Sequence, residues 1–247
     1  MFIELLDQAK EAALAAGKII SSVDGSTLSL LGKSAGESKA SSALTEIDLK
    51  AQNAILEILN PSIKKYDLGL LTEESPDDNS RFEKEYFWCV DPLDGTLQYS
   101  KGESGYAVSI ALIKKDGTVV IGVVFDPANK NLYHAIKGEG AFKNENPFKV
   151  IEGPGELNEI PIAGAVMMAI NTIELAPAVF IKPPKESLGG GCIWDYAATS
   201  LISFEAGGFN CQHNGEPFDL NPKESLYMNK VGTIFSSSKS LILSKKS

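Results

Sequence analysis

Histidine and cysteine are scarce in this 247-residue sequence, with two histidines (His134, His213) and three cysteines (Cys89, Cys192, Cys211). Two histidines argue against a His-rich zinc or non-haem iron site and against a Ser-His-Asp triad. Each reads as a surface residue. An odd cysteine count with no C-x-x-C pair suggests neither a disulfide framework nor a zinc ribbon, and it fits a reducing compartment. Long apolar runs are missing as well: the longest, 162–181, is interrupted by Asn171, Glu174 and Pro177, which excludes a transmembrane helix there. The N-terminus carries Glu4 and Asp7 where an export signal needs positive charge. A cytoplasmic location is therefore expected. Positive charge is in short supply throughout, 23 Lys+Arg against 32 Asp+Glu for a net charge of −9, which speaks against binding nucleic acid through a basic face.

The acidic excess is concentrated. Between Leu71 and Thr96 lie eight acids (Glu73, Glu74, Asp77, Asp78, Glu83, Glu85, Asp91, Asp94) and two bases (Arg81, Lys84), a net of −6 within a total of −9. The remainder, 43% apolar over the whole chain, has the composition of an ordinary protein with a substantial core.

Apolar residues from Phe2 to Ile20 recur on one helical face, giving an amphipathic helix. Gly, Ser and Lys dominate 23–42, which reads as a loop with a short strand at 27–31. Thr45 then caps a second helix, stopped by Asn60-Pro61. Beyond Leu70 the period changes to 2. Strands are expected at 68–71, 86–90, 105–113, 119–125 and 132–136, with a hairpin at Asp116-Gly117. Later come a helix at 163–174, a strand at 179–181, a helix around 197–206 ending at Gly207-Gly208, and a strand at 231–235.

Asp91-Pro92-Leu93-Asp94-Gly95-Thr96 follows the 86–90 strand without a spacer, so two carboxylates three residues apart are aimed from one strand end. Pro92 stiffens the segment, and Gly95 permits close backbone approach and leaves the Gly95 and Thr96 N–H groups to an anion. On its own the hexapeptide is also what an Asx-rich turn looks like. Its company matters more: Glu73-Glu74 ends one strand, and Trp194-Asp195 opens a helix. So many carboxylates in one place make sense chiefly around divalent cations, and hard oxygen donors without His or Cys suit Mg²⁺ or Mn²⁺.

In order, Thr45-x-x-Asp48, Glu73-Glu74-Ser75, the Asp91–Thr96 hexapeptide and Trp194-Asp195-x-Ala197-Ala198 resemble the motifs of the inositol monophosphatase superfamily. The resemblance spans nearly the whole chain. It implies an α/β fold, a layered α-β-α-β-α sandwich, with 1–147 as a helix and antiparallel-sheet half carrying most of the metal site and 148–247 as a shorter half contributing Asp195. It also implies a Mg²⁺-dependent, lithium-sensitive phosphomonoesterase with two or three ions per site, Mn²⁺ being able to substitute. Glu73, Asp91 and the Leu93 carbonyl would hold one ion, and Asp91, Asp94 and Asp195 a second. Asp91 would bridge ions about 3.5–4 Å apart. Thr96 with Glu73 or Asp48 would activate water, while Asp94, Gly95, Thr96 and Asp195 would contact the substrate.

The Asp91/Asp94 spacing separates this pattern from the D-x-D-G-T turn of haloacid-dehalogenase-type phosphatases, so no phosphoaspartyl intermediate is expected. Gln98-Tyr99 after the hexapeptide and the Val108–Ile113 strand favour the bisphosphate nucleotidase branch, with 3′-phosphoadenosine 5′-phosphate as substrate. Inositol 1-phosphate is the alternative. Where nucleotidases commonly show Gly-Ser-Ser-x-Lys, Gly164-Ala165-Val166-Met167-Met168 stands here, and the stretch before Trp194 is shorter than in either branch. A non-catalytic metal- and phosphate-binding protein, and a calcium- or partner-binding acidic surface, are the readings outside this class. No EF-hand spacing supports calcium, and Asp77, Asp78, Glu83 and Glu85 read as solvated charges. A monomer or homodimer acting on a small phosphate ester is the expected assembly.

Overall fold

The computed structural model describes residues 1–27, 37–151, 153, 156–189 and 191–243. Helix α1 (Phe2–Ser21) buries Leu5, Ala9, Ala12, Ala13, Ala16 and Ile20, the stripe its period predicts. Helix α2 (Glu37–Tyr66) departs from expectation at both ends. Glu37 to Asn60 contains neither glycine nor proline, so the helix runs back through what reads as loop, and Thr45 lies inside it instead of capping it. It also continues past Pro61. The proline lacks the N–H that would bond the Glu57 carbonyl, so one helical hydrogen bond is lost at the exposed Glu57. Ser62 Oγ meanwhile donates to the Leu59 carbonyl at 2.8 Å. Of the expected strand at 27–31, Thr27 is helical and 28–31 lie outside the described residues.

Seven strands follow in sequential order in one sheet: β1 (Gly69–Thr72), β2 (Tyr86–Asp94), β3 (Ala107–Lys114), β4 (Val119–Asp126), β5 (Asn131–Ile136), β6 (Ala141–Lys143) and β7 (Asn146–Phe148). Only β1 and β2 pair in parallel; the others are antiparallel. Helix α3 (Thr96–Lys101) leaves the end of β2, and α4 (Ala165–Glu174) and α5 (Ile193–Glu205) cover the sheet's second face. A second sheet, in the order β8 (Val179–Lys182), β10 (Thr233–Ser236), β9 (Phe209–Gln212), is antiparallel throughout. The short helix α6 (Lys239–Leu243) is the last described element.

Alternation along the strands assigns the layers. Trp88, Val90, Val108, Ile110 and Leu112 pack on α1 and α2, whereas Phe87, Cys89, Ala107, Ala111 and Ile113 join α4 and α5. Within β10, Phe235 faces that second core and Ile234 faces α6. The result is a layered α-β-α-β-α sandwich, as the resemblance implies. The strand period also fixes a functional direction: two residues beyond Cys89, Asp91 points toward α5.

Two expectations about polar residues fail. His134 is buried at 5% exposure in β5, its ring stacked on Phe142, because a central strand leaves its side chains no route to water. Asp77 is not merely solvated: its Oδ2 accepts from Arg81 Nε at 2.7 Å, and the buried guanidinium also donates through Nη1 to Asn221 Oδ1 (2.6 Å) and the Pro222 carbonyl (2.9 Å). That network ties the acidic segment to a stretch 140 residues away in sequence. Asp78, Glu83 and Glu85 are exposed, as read.

Candidate metal centre

β2 does not end in a free turn at Asp91. Pairing with β3 matches Asp91 to Ser109 and Asp94 to Ala107, so three steps on β2 oppose two on β3. The extra residue makes a bulge. Pro92 suits that interval, where a missing N–H is tolerated. The bulge lets both aspartates project on the α5 side, and Ser109 Oγ, donating to the Trp194 carbonyl at 3.0 Å, pins the start of α5 beside them.

Carboxylate oxygens of Asp91, Asp94 and Asp195 come within 4.8 Å of one another. Each is oriented by backbone. Asp91 Oδ1 accepts the Leu93 N–H (3.0 Å), Asp195 Oδ2 accepts the Cys192 N–H (2.7 Å), and Asp94 Oδ1 and Oδ2 accept the Ala165 and Val166 N–H groups (3.2 and 2.8 Å). Asp94 thus caps α4 from across the fold. Asp91 and Asp195 are buried, and Asp94 is half-buried. The Glu73 N–H bonds the Val90 carbonyl at 3.1 Å, and the Glu73 side chain, though exposed in total area, turns its carboxyl onto Asp91. Asp48, buried on α2, completes the group beside Glu73 and Glu74. Leu93 is buried in β2, and Gly95, at φ +82°, leads into α3, which Thr96 opens.

Crowding leaves its mark on every acid here. Burial, then Asp195, pushes Asp94 up to about 8, against the Val166 N–H that favours the ionised form. Glu73 rises to about 7 through burial, with Asp195 and Glu74 adding to it against the hydrogen bond to Asp91. Burial, then Glu74 and Glu73, raises Asp48 to about 7. Asp91 lies well above the usual range through burial and then Glu73, Asp195 and Asp94, and burial raises Asp195 and Glu74. Carboxyl groups so placed cannot all ionise alone. Asp48 Oδ1 and Thr72 Oγ1 are moreover buried without a hydrogen-bond partner among the described residues. An all-oxygen donor set, mutual repulsion and open buried polar atoms fit hard divalent cations.

A pH dependence follows. In the unfolded chain these carboxyls lose protons near 4, whereas Glu73 and Asp94 hold theirs until about 7 and about 8. Over that interval the folded state binds more protons, so metal-free stability is greatest at low pH and falls as pH rises through about 8. Melting temperatures measured in EDTA from pH 5 to 9 should show this slope, and saturating Mg²⁺ should flatten it. A flat profile in EDTA would refute the crowding.

Sequence reasoning missed Lys182, at the end of β8, whose charge lowers the pKa of both Asp94 and Asp195. A lysine at a strand end carries no local signal for such a place. It also missed the α4 contact, because an aspartate capping a helix 71 residues away leaves no pattern in the chain.

A layered α/β protein with carboxylates gathered at a bulged strand end and a helix start is a candidate divalent-cation hydrolase by its chemistry. The chain belongs to the inositol monophosphatase family, whose model matches residues 3–175. It is 30% identical over 203 residues to the Nus factor SuhB of Pasteurella multocida, covering 70% of this chain and 72% of that one. Against the 3′(2′),5′-bisphosphate nucleotidase CysQ of Salmonella typhimurium it is 29% identical over 205 residues, 74% and 82% of the two chains. The crystal structure of CysQ from Bacteroides thetaiotaomicron matches with a TM-score of 0.75 at 25% identity, covering 95% of this chain and 97% of that one. Family and relatives support a phosphatase and leave its substrate open. No helix among the described residues is long and apolar enough to cross a membrane.

Proposed function

We propose that this chain is a cytoplasmic, Mg²⁺-dependent and lithium-sensitive phosphomonoesterase that converts 3′-phosphoadenosine 5′-phosphate to AMP and phosphate. What carries the reading is the set of carboxylate oxygens of Asp91, Asp94 and Asp195 within 4.8 Å, each oriented by a backbone N–H. Glu73, Asp91 and the Leu93 carbonyl would hold one ion, and Asp91, Asp94 and Asp195 another. Bound there, divalent cations supply neutralisation of phosphoryl charge and a lowered pKa for water. Asp48, whose Oδ1 has no hydrogen-bond partner among the described residues, would accept a proton from the attacking water, which Glu73 and Thr96 would orient. Gly95 and Thr96 lie at the start of α3 toward the ester, and Asp94 and Asp195 fix the leaving side. Positioning and charge compensation are what in-line displacement at phosphorus requires.

Lys182 favours a substrate with a second phosphate, since it is a cation beside an otherwise anionic cluster. Inositol 1-phosphate is the second reading, supported by the inositol-1-monophosphatase of Synechocystis, 27% identical over 249 residues and 91% of this chain. A phosphate-release panel with Mg²⁺ decides between them, comparing 3′-phosphoadenosine 5′-phosphate, inositol 1-phosphate, fructose 1,6-bisphosphate and NADP. The bisphosphate should have the highest kcat/KM, and Lys182→Met should reduce that value more than the value for inositol 1-phosphate. Equal loss on both substrates removes the case for the second phosphate, and no release from any of them removes the enzyme reading.

A further inference from the structure

A cavity of about 310 Å³ opens where the end of β4, strands β5 and β6 and the middle of α4 meet. On α4 its wall is Met167, Asn171 and Glu174, spaced i, i+4, i+7 along one face. Opposite stand Tyr133 and Lys143, both fastened to Glu174 Oε1, the Tyr133 hydroxyl at 2.7 Å and Lys143 Nζ at 2.5 Å. Glu174 Oε2 is left over as an acceptor. The side-chain amide of Asn171 makes no hydrogen bond among the described residues, so a donor and an acceptor face the space together. Asp126, 1% exposed, forms part of the wall, held by the Asn129 N–H (3.1 Å) and Nδ2 (2.8 Å).

We infer that this cavity binds a small neutral polyol or sugar. Its wall offers both donors and acceptors, as a chain of hydroxyls requires, and Tyr133, Lys143 and Glu174 are held to one another across strand and helix while Asp126 is held by Asn129. Met167 and Ile162 give the C–H face of such a ligand an apolar surface. Two carboxylates against one lysine disfavour an anion. The volume lies at the small end of ligand sites, which suits a molecule of hexitol size.

Met167 supplies the readout. With the full chain kept in EDTA, ¹³C-methyl methionine spectra are recorded during titration with sorbitol, inorganic phosphate and methylammonium, the Met167 signal being assigned from Met167→Leu. Sorbitol should shift that signal saturably, and both Asn171→Ala and Lys143→Met should weaken the binding at least tenfold. Asn171→Ala removes no side-chain hydrogen bond among the described residues, so its circular dichroism and melting should match the parent. Non-saturating shifts in the parent, saturation that survives both substitutions, or tighter binding of phosphate or methylammonium would overturn the inference.

Discussion

Asp91→Asn should lower Mg²⁺-dependent phosphate release by about 10³-fold or more while making the metal-free protein more stable. Loss of an outer partner of a metal ligand already costs about 10- to 100-fold in affinity or activity. Asp91 sits deeper than that. It is 1% exposed, faces Glu73, Asp94 and Asp195 at once, and is proposed to hold both ions, so the amide removes a full negative charge that the two cations would share. Without metal the same charge is a burden. Burial and three acidic neighbours hold the Asp91 pKa far above its unfolded value, so at neutral pH folding forces a proton onto the cluster. Asparagine ends that demand, and melting in EDTA at pH 8 should occur at a higher temperature than in the parent, a stability gained where function is lost. Near-normal turnover at saturating Mg²⁺ would sink the two-ion assignment. Lower stability in EDTA would sink the electrostatic account, even if turnover disappeared.

How much of this was legible in the chain depends on distance along it. Local signals served well: the α1 stripe, the Asp116-Gly117 hairpin and the Gly207-Gly208 stop all stand where the pattern puts them. The D-x-x-D spacing announced paired carboxylates, but not that a bulge, a strand irregularity set by pairing with β3, is what turns both to one side. Composition misled at 37–42, where three serines and a lysine that look like loop extend a helix stabilised further along by packing against α1. Pro61 misled for a related reason, because Leu59 and Ser62 are buried on either side of it and tertiary packing outweighs one lost hydrogen bond. Asp77 and Asp94 show the limit most clearly. Their partners lie at Asn221, by way of Arg81, and at Val166, contacts that only the completed fold creates.

Gly164→Ala should cost about 10²-fold in Mg²⁺-dependent turnover and weaken metal binding, with the fold retained. The backbone at Gly164, φ −58° and ψ 161°, is open to any residue, so strain is not the cause. The cause is space. A Cβ there would stand 2.2 Å from Asp94 Oδ2, 2.8 Å from its Cγ and 2.8 Å from the Gly95 Cα, all closer than real contacts allow. Asp94 cannot step aside freely, since its two oxygens hold the Ala165 and Val166 N–H groups. Either the carboxylate gives up α4 and swings out of the cluster, or α4 retreats and draws the carboxylate with it. Both move a ligand oxygen by an amount comparable to the 1 Å misplacement that costs about 10²-fold in catalysis. Gly153→Ala is the matched control, with no positive φ and nothing within 4 Å of a new Cβ, and should leave rate and Mn²⁺ affinity unchanged. Gly207→Ala meets open space at φ +91° and should lower the melting temperature without touching the rate. Parental Mn²⁺ affinity and rate in Gly164→Ala would mean that Asp94 is not held by the first turn of α4, and would detach that helix from the chemistry.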